Sequence, residues 1–414
     1  MTTLDASRAG AFASAETPRA GDFAAPAAVD RIQKLGLLVA GGAALLSLLG
    51  WFVAPGAFVD TLLRSYLVAW VYWMGVSLGC FALLMIHHLS RGGWGVVARR
   101  ILEAATRTLP LLLVLALPLF LLGLPRLYLW AQPGGMATDA ILQHKAQYLN
   151  VKWFLIRQAL YFAVWLIPMF VINRLSRQQD ETGDPLLFRR MQKVAAPGLL
   201  AYALAVNFAS VDWLMSLQPH WYSTIYGVYL MGSQALAALA FVIVVALFLA
   251  RREPMSRVFL PRHFHDYGKL FLAATMLWAY FSFSQFLIIW AGNLPEEIEF
   301  YLERMRHGWG VVAVAVVLLH FILPFLLLLS SDLKRTRGLG AVAILMLVAR
   351  LVELFWQVEP AFEHHEPALY WLYLTVPLAL GGLWLFWFMR ELKKRPLVPI
   401  NDPYLPEAMA DAHH

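Results

Sequence analysis

The stretch His265–Glu297, HDYGKLFLAATMLWAYFSFSQFLIIWAGNLPEE, decides how the chain is read. Its centre is apolar and aromatic over about the 20 residues that a helix needs to cross a bilayer. Polar residues break it in three places: His265, Asp266 and Lys269 at its start, Ser282, Ser284 and Gln285 inside it, and Asn293, Pro295, Glu296 and Glu297 at its exit. Ser282, Gln285 and Asn293 fall within about a quarter-turn of one another on a helical wheel. The stretch therefore reads as a membrane helix with a polar stripe. Such a stripe is either hydrogen-bonding glue between helices or a wetted half-channel that takes protons inward from the His265, Asp266 and Lys269 mouth.

Working outward, nine further apolar runs of similar length accompany this one. The ten spans are 35–54, 62–88, 108–130, 152–173, 196–216, 225–250, 270–291, 308–330, 338–357 and 369–390. The chain is 60% hydrophobic and 14% charged, against about 25% charged for soluble domains, and its mean hydropathy is +0.62. The expected fold class is an all-α polytopic membrane protein. Residues 1–33 lack the apolar region of a signal peptide and read as a flexible cytoplasmic tail, and residues 391–414 read as a second cytoplasmic tail. The stretch around Trp94, followed by Arg99, Arg100, Glu103 and Arg107, reads as an interfacial amphipathic helix leading into the third span.

Charge distribution fixes a direction. Ten spans place both termini and every even-numbered connection on one face. That face carries 25 of the 33 Lys and Arg residues, in the first 34 residues and near 91–107, 174–193, 251–269, 334–337 and 390–395. Six lie at or near the other face, and Arg157 and Arg350 lie deeper within spans. The asymmetry predicts cytoplasmic termini, and it accounts for the net charge of +7 without nucleic acid. The external loops QPHWYSTIYG (218–227) and EPAFEHHEPALYW (359–371) are rich in aromatic residues and histidine, suited to an interfacial belt or to a docked extrinsic partner.

The spans also repeat. Tyr72, Met74 and Gly75 recur as Tyr229, Met231 and Gly232. Trp153 and Pro168 recur as Trp309 and Pro324, and Asp212, Gln218 and Pro219 fall on Glu353, Glu359 and Pro360. The order of these matches predicts two parallel-repeat four-helix bundles, 62–224 and 225–368, with peripheral helices in 34–61 and 369–390. Asp212 and Glu353 are then equivalent, each in the external half of its bundle.

Ionisable groups in the hydrocarbon cost about 2.5–3.5 kcal/mol on insertion scales and need partners or a watery route. Arg350, Glu353 and Gln357 lie at i, i+3 and i+7 on one helix face, either as a neutralised packing pair or around a protonatable Glu353. His320 stands near the middle of the eighth span, a packing residue or a relay member. Asp212, next to Trp213 and close to His220, suits either an interfacial cap or contact with a quinol headgroup. The single cysteine, Cys80, excludes disulfides, cysteine-ligated iron–sulfur clusters and covalently attached haem within the chain. The other helix-borne histidines, His87 and His88, end the second span and give His320 no haem-ligating partner at its depth. No redox cofactor and no metal is expected here, and none of these residues is expected to be catalytic by itself.

HDYGKL, WAYFSFSQFLIIWAGNLPEE (278–297) and VDWLMSLQPHWYSTIYG (211–227) together carry a resemblance that covers nearly the whole chain. The sequence resembles the ActF family, the membrane subunits of bacterial alternative complex III, a quinol:cytochrome c or quinol:acceptor oxidoreductase. The resemblance implies an NrfD/PsrC-like membrane fold in the bacterial inner membrane. It also implies partners: multihaem cytochrome c and iron–sulfur subunits on the periplasmic side, a paralogous NrfD-like subunit (ActC) to which the quinol site is usually assigned, and a terminal oxidase in some assemblies. For this chain it implies scaffold, quinone contact or proton conduction through Asp212, His320, Arg350, Glu353 and the stripe of the seventh span. A secondary transporter or proton channel is the alternative, weakened because Pro168 and Pro324 sit singly in otherwise continuous runs rather than breaking helices in pairs.

Overall fold

The computed structural model describes residues 20–137, 139–334 and 337–409, and these are helical with no strand among them. Ten helices are long and apolar enough to cross a membrane: α1 (Ala27–Val53), α2 (Pro55–Ser90), α3 (Gly93–Leu127), α4 (Val151–Thr182), α5 (Leu186–Leu217), α6 (Tyr226–Leu249), α7 (Pro261–Gly292), α8 (Trp309–Leu329), α9 (Arg337–Ala361) and α10 (Pro367–Leu392). The chain is thus an all-α, multi-pass membrane protein.

Local chemistry sets the helix ends. Pro55 and Pro261 open α2 and α7 at positions where a missing N–H costs nothing. The Asn150 side chain caps α4 by accepting from the Trp153 N–H at 2.9 Å. Left-handed residues Gly183 (φ 68°) and Asn293 (φ 47°) close α4 and α7. Two helices contain a widened π turn, Leu119–Gly123 in α3 and Leu318–Ile322 in α8. Each is followed within two residues by a proline, Pro125 or Pro324, whose ring cannot be seated in a regular α turn.

Helices α2, α3, α4 and α5 pack as one closed ring, and α6, α7, α8 and α9 as another. The rings meet where α2 lies along α6, flanked on one side by α2 against α9 and on the other by α5 against α6. These flanking contacts exchange when the two copies are exchanged, as a duplicated bundle requires. At the joint a Cβ on Gly79 would fall 2.1 Å from the Gln234 carbonyl oxygen, so Gly79 permits the close approach of α2 and α6. Outside the rings α10 rests on α2 and clasps α1, and there Gly36 and Gly382 bring two backbones together. Large apolar side chains of α1, α4, α7 and α8, such as Phe52, Ile167, Tyr280 and Val311, remain exposed, which suits hydrocarbon rather than water.

Two expectations change. The peripheral helix read in 34–61 is α1 from Ala27, and α2 begins at Pro55 rather than 62. The amphipathic start of α3 is buried rather than interfacial: Arg99, Arg100 and Glu103 are at most 2% exposed. They tolerate burial because they neutralise one another, Arg99 Nε lying 2.9 Å and Arg100 Nη1 2.7 Å from the Glu103 carboxylate. The described part of 391–414 packs against the bundle as a strap. The Leu397 N–H donates to the Phe23 carbonyl at 2.8 Å, Val398 is buried, and Asp402 reaches Arg99 at 2.6 Å. These contacts define a terminal face of the bundle, opposite the face that carries 128–150, 214–225, 293–308 and 359–370.

Candidate functional site

A buried polar centre lies in the second bundle, in the half towards the face opposite the termini. Glu353 of α9 is fully buried. Its Oε2 receives Arg350 Nη1 at 2.6 Å from one turn earlier on the same helix. His320, carried by the π turn of α8, brings Nδ1 to 3.3 Å from that oxygen without hydrogen-bonding alignment. The other oxygen, Oε1, accepts from the Tyr229 hydroxyl, from Trp278 Nε1 at 3.0 Å, and more distantly from Ser233 and Gln357, both at 3.3 Å. Gln357 also donates to the Tyr229 hydroxyl at 2.9 Å and accepts from Tyr226 at 2.8 Å. The i, i+3, i+7 face of α9 thus meets α6, α7 and α8 around one carboxylate. One oxygen of Glu353 thus meets a charged donor and the other neutral donors, with the His320 imidazole close by.

Next to this centre lies a cavity of about 370 Å³. Its polar end is formed by Tyr229, Gln357, Ser282, Gln285 and Tyr301; its walls are aromatic or aliphatic, from α7, α8, α9 and the short helix Pro295–Glu303. That helix is pinned by Arg304, 1% exposed, which donates to the carbonyls of Phe300 (2.9 Å) and Gln357 (2.6 Å) and to Gln218 Oε1 (2.8 Å), with its guanidinium 3.5 Å from the Phe300 ring centroid. Burial lowers Arg304 to about 10 and raises the Tyr301 phenol to about 12, so at neutral pH the first is charged and the second is protonated.

The first bundle closes its carboxylate differently. Asp212, also fully buried, is gripped by Arg157 of α4 through two bonds of 2.9 and 2.8 Å. Tyr161 donates to it at 2.9 Å and Gln158 at 3.3 Å. Trp213 turns inward, donating to Gln158 Oε1 at 2.8 Å and packing edge-on against Trp70 and Trp165. Asp212 is therefore half of an ion pair and not an interfacial cap. His220 lies apart on the surface loop, its Nε2 2.5 Å from Asp139, so Asp212, Trp213 and His220 do not form one contact surface.

The stripe of α7 divides as well. Ser282 and Gln285 line the cavity, whereas Ser284 does not, and Asn293 is the exposed residue that ends the helix. At the terminal face Asp266 and Lys269 form a loose surface pair at 3.7 Å, and His265 is half-buried beside them. Between this mouth and Ser282 the buried face of α7 is Phe271, Ala274, Thr275 and Trp278, with the Thr275 hydroxyl bonded to the Phe271 carbonyl. The mouth and the inner stripe are not one polar path along α7.

Partners absent from the sequence reading are Arg157, Gln158 and Tyr161 around Asp212, Tyr229, Ser233 and Trp278 around Glu353, and the Arg99–Glu103–Asp402 cluster. One signal pointed to the first group: Arg157 and Asp212 are both intramembrane charges near the same face, and each needs a counter-charge. Among the described residues no group of three or more His, Cys, Asp or Glu side chains is placed to hold a metal ion. In comparisons with known proteins, no family model and no curated protein matches the chain.

Proposed function

We propose that the chain is a membrane subunit of a respiratory quinol:electron-acceptor oxidoreductase of the alternative complex III kind, and that Glu353 is its proton-handling group. In this reading it lies in the bacterial inner membrane with the terminal face cytoplasmic, in keeping with the bias of Lys and Arg to that side. It holds no redox cofactor of its own. Haem c and iron–sulfur clusters belong to multihaem cytochrome and iron–sulfur partners, a paralogous NrfD-like subunit sits beside it, and quinol is the substrate of the whole complex. Quinol oxidation releases two protons with two electrons, so a complex of this kind needs carboxylates that accept protons inside the membrane.

The observation that carries the reading is the Glu353 centre: a fully buried carboxylate within reach of Arg350, His320 and Tyr229. A packing ion pair needs only the arginine; the imidazole and the phenol supply groups that exchange protons. Glu353→Gln keeps the shape and most hydrogen bonds but cannot ionise, and in the reconstituted complex it is expected to lower the protons moved per electron. An unchanged ratio rejects the role of Glu353. Membership is tested separately: gentle detergent extraction is expected to recover multihaem cytochrome and iron–sulfur proteins with the chain, and a lone, haem-free chain sinks that part.

A further inference from the structure

The cavity beside Glu353 has a specific origin. Trp153 and Pro168 of α4 match Trp309 and Pro324 of α8 at one offset (309 minus 153 and 324 minus 168 are both 156). Applied to the three α4 residues that surround Asp212, this offset sets Arg157 against Ala313, Gln158 against Val314 and Tyr161 against Val317. Those three α8 residues all line the cavity. In the first bundle a long cation, an amide and a phenol reach from α4 and fill the space before the carboxylate. In the second, one alanine and two valines leave about 370 Å³ open. The carboxylate stays neutralised because its arginine has moved to its own helix, as Arg350, where it does not obstruct the space.

We propose that this opening, between α7, α8 and the Pro295–Glu303 helix, is a binding site for a flat amphipathic lipophile, a quinone-class headgroup with its tail in the bilayer. The site rests on the quinol reading above and gives it a place in this chain. Entry from the membrane is provided by α8, where Val314, Val317 and Leu318 line the cavity and are also exposed to the lipid side. The walls Phe286, Phe300 and Trp356 suit a planar ring. At the inner end the Tyr301 hydroxyl accepts from Gln285 Nε2 at 3.2 Å, which leaves its own proton for a carbonyl or hydroxyl oxygen of a ligand. Tyr229 and Gln357 continue from the cavity wall to Glu353. Gln285 also lines a second hollow of about 120 Å³ with Ser223 and Glu297, towards the face opposite the termini. A headgroup at this place would have hydrogen-bonding groups on one side and hydrocarbon on the other.

The test is photolabelling of the intact, detergent-extracted assembly with an azido-decylbenzoquinone, followed by peptide mapping, with phosphatidylglycerol as competitor in one arm and unlabelled decylbenzoquinone in the other. Labelling is expected on α8 or on 295–305, displaced by the quinone and not by the phospholipid. Ala313→Phe, which refills the space, is expected to reduce labelling at least about tenfold. Tyr301→Phe, which keeps the ring and the packing, is expected to weaken quinone affinity about three- to tenfold, the worth of one hydrogen bond. Equal displacement by phosphatidylglycerol overturns the proposal in favour of a lipid-tail site. Labelling around Asp212, or only on partner subunits, overturns it while leaving the quinol complex standing. Failure of that wider reading shows independently, as loss of the cytochrome partners on extraction. Unchanged affinity in Tyr301→Phe also overturns the proposal, whatever Ala313→Phe does to folding.

Discussion

Asp212 and Glu353 occupy matching places in the two bundles, and their surroundings differ in where the counter-charge comes from. Asp212 takes Arg157 from the neighbouring helix α4 in a two-pronged grip, and Trp70, Trp165 and Trp213 pack the remaining space. Glu353 takes Arg350 from its own helix through a single nitrogen and is otherwise held by neutral donors and His320. The first arrangement joins two helices; the second leaves the facing helix free to line a cavity. The same scaffold thereby holds a helix-joining ion pair in one copy and, in the other, a buried polar centre beside a cavity, because three side chains on α4 are long and their counterparts on α8 are short.

The largest effect expected from this comparison is on stability. Arg157→Met strands a buried carboxylate and is expected to cost about 3–5 kcal/mol, read as a lower midpoint in detergent-mediated unfolding. Arg350→Met is expected to cost about half as much, because four neutral donors remain on Glu353. Equal losses would mean that the two centres are both simple struts. An effect comparable to that of Arg350→Met is expected from Tyr229→Phe, which removes a hydroxyl bonded to a charged oxygen, worth about 1.5–3 kcal/mol. Its loss should appear together with an altered pH profile of proton uptake, whereas Tyr161→Phe should change stability alone; an unaltered profile for Tyr229→Phe would erase the distinction between the centres.

The smallest effect is in the surface loop of the first bundle. Asp139 caps the helix Ala140–Lys145, accepting from Ile141 N at 2.9 Å and Leu142 N at 3.1 Å, and it also meets His220. The Leu142 N–H, and then His220, hold its carboxyl below the ordinary 3.8. Its contribution is therefore complete above pH 3.8 and disappears as pH falls through the lower folded value. Hydrogen-exchange protection in 139–150 is expected to fall in that acid window, and above the window exchange is expected to be faster in Asp139→Ala; a rate above the window unaffected by the substitution would remove Asp139 from the account.

Hydropathy made the ten spans legible, since crossing hydrocarbon imposes length and composition on each helix separately. The face Arg350, Glu353 and Gln357 was legible for the same local reason, being set by helical spacing alone. The Arg157–Asp212 pair was not, because its members are 55 positions apart on different helices and only tertiary packing unites them. The buried start of α3 was misread because isolated charges ordinarily seek the interface, and nothing within 91–107 reveals that Asp402 will arrive to complete the cluster. The cavity was legible only in part: Ala313, Val314 and Val317 look like any lipid-facing run until the repeat places them opposite Arg157, Gln158 and Tyr161.

The strap that carries Asp402 also has a consequence in time. Arg99 and Asp402 are 303 positions apart, and at about 5–20 residues per second a ribosome needs roughly 15–60 s to get from one to the other. For that interval Arg99 and Arg100 have Glu103 and Asp180 as counter-charges but lack Asp402. The contact of Asp402 with Arg99 therefore forms only after all ten spans have been synthesised, which makes this buried cluster one of the last parts of the bundle to be completed.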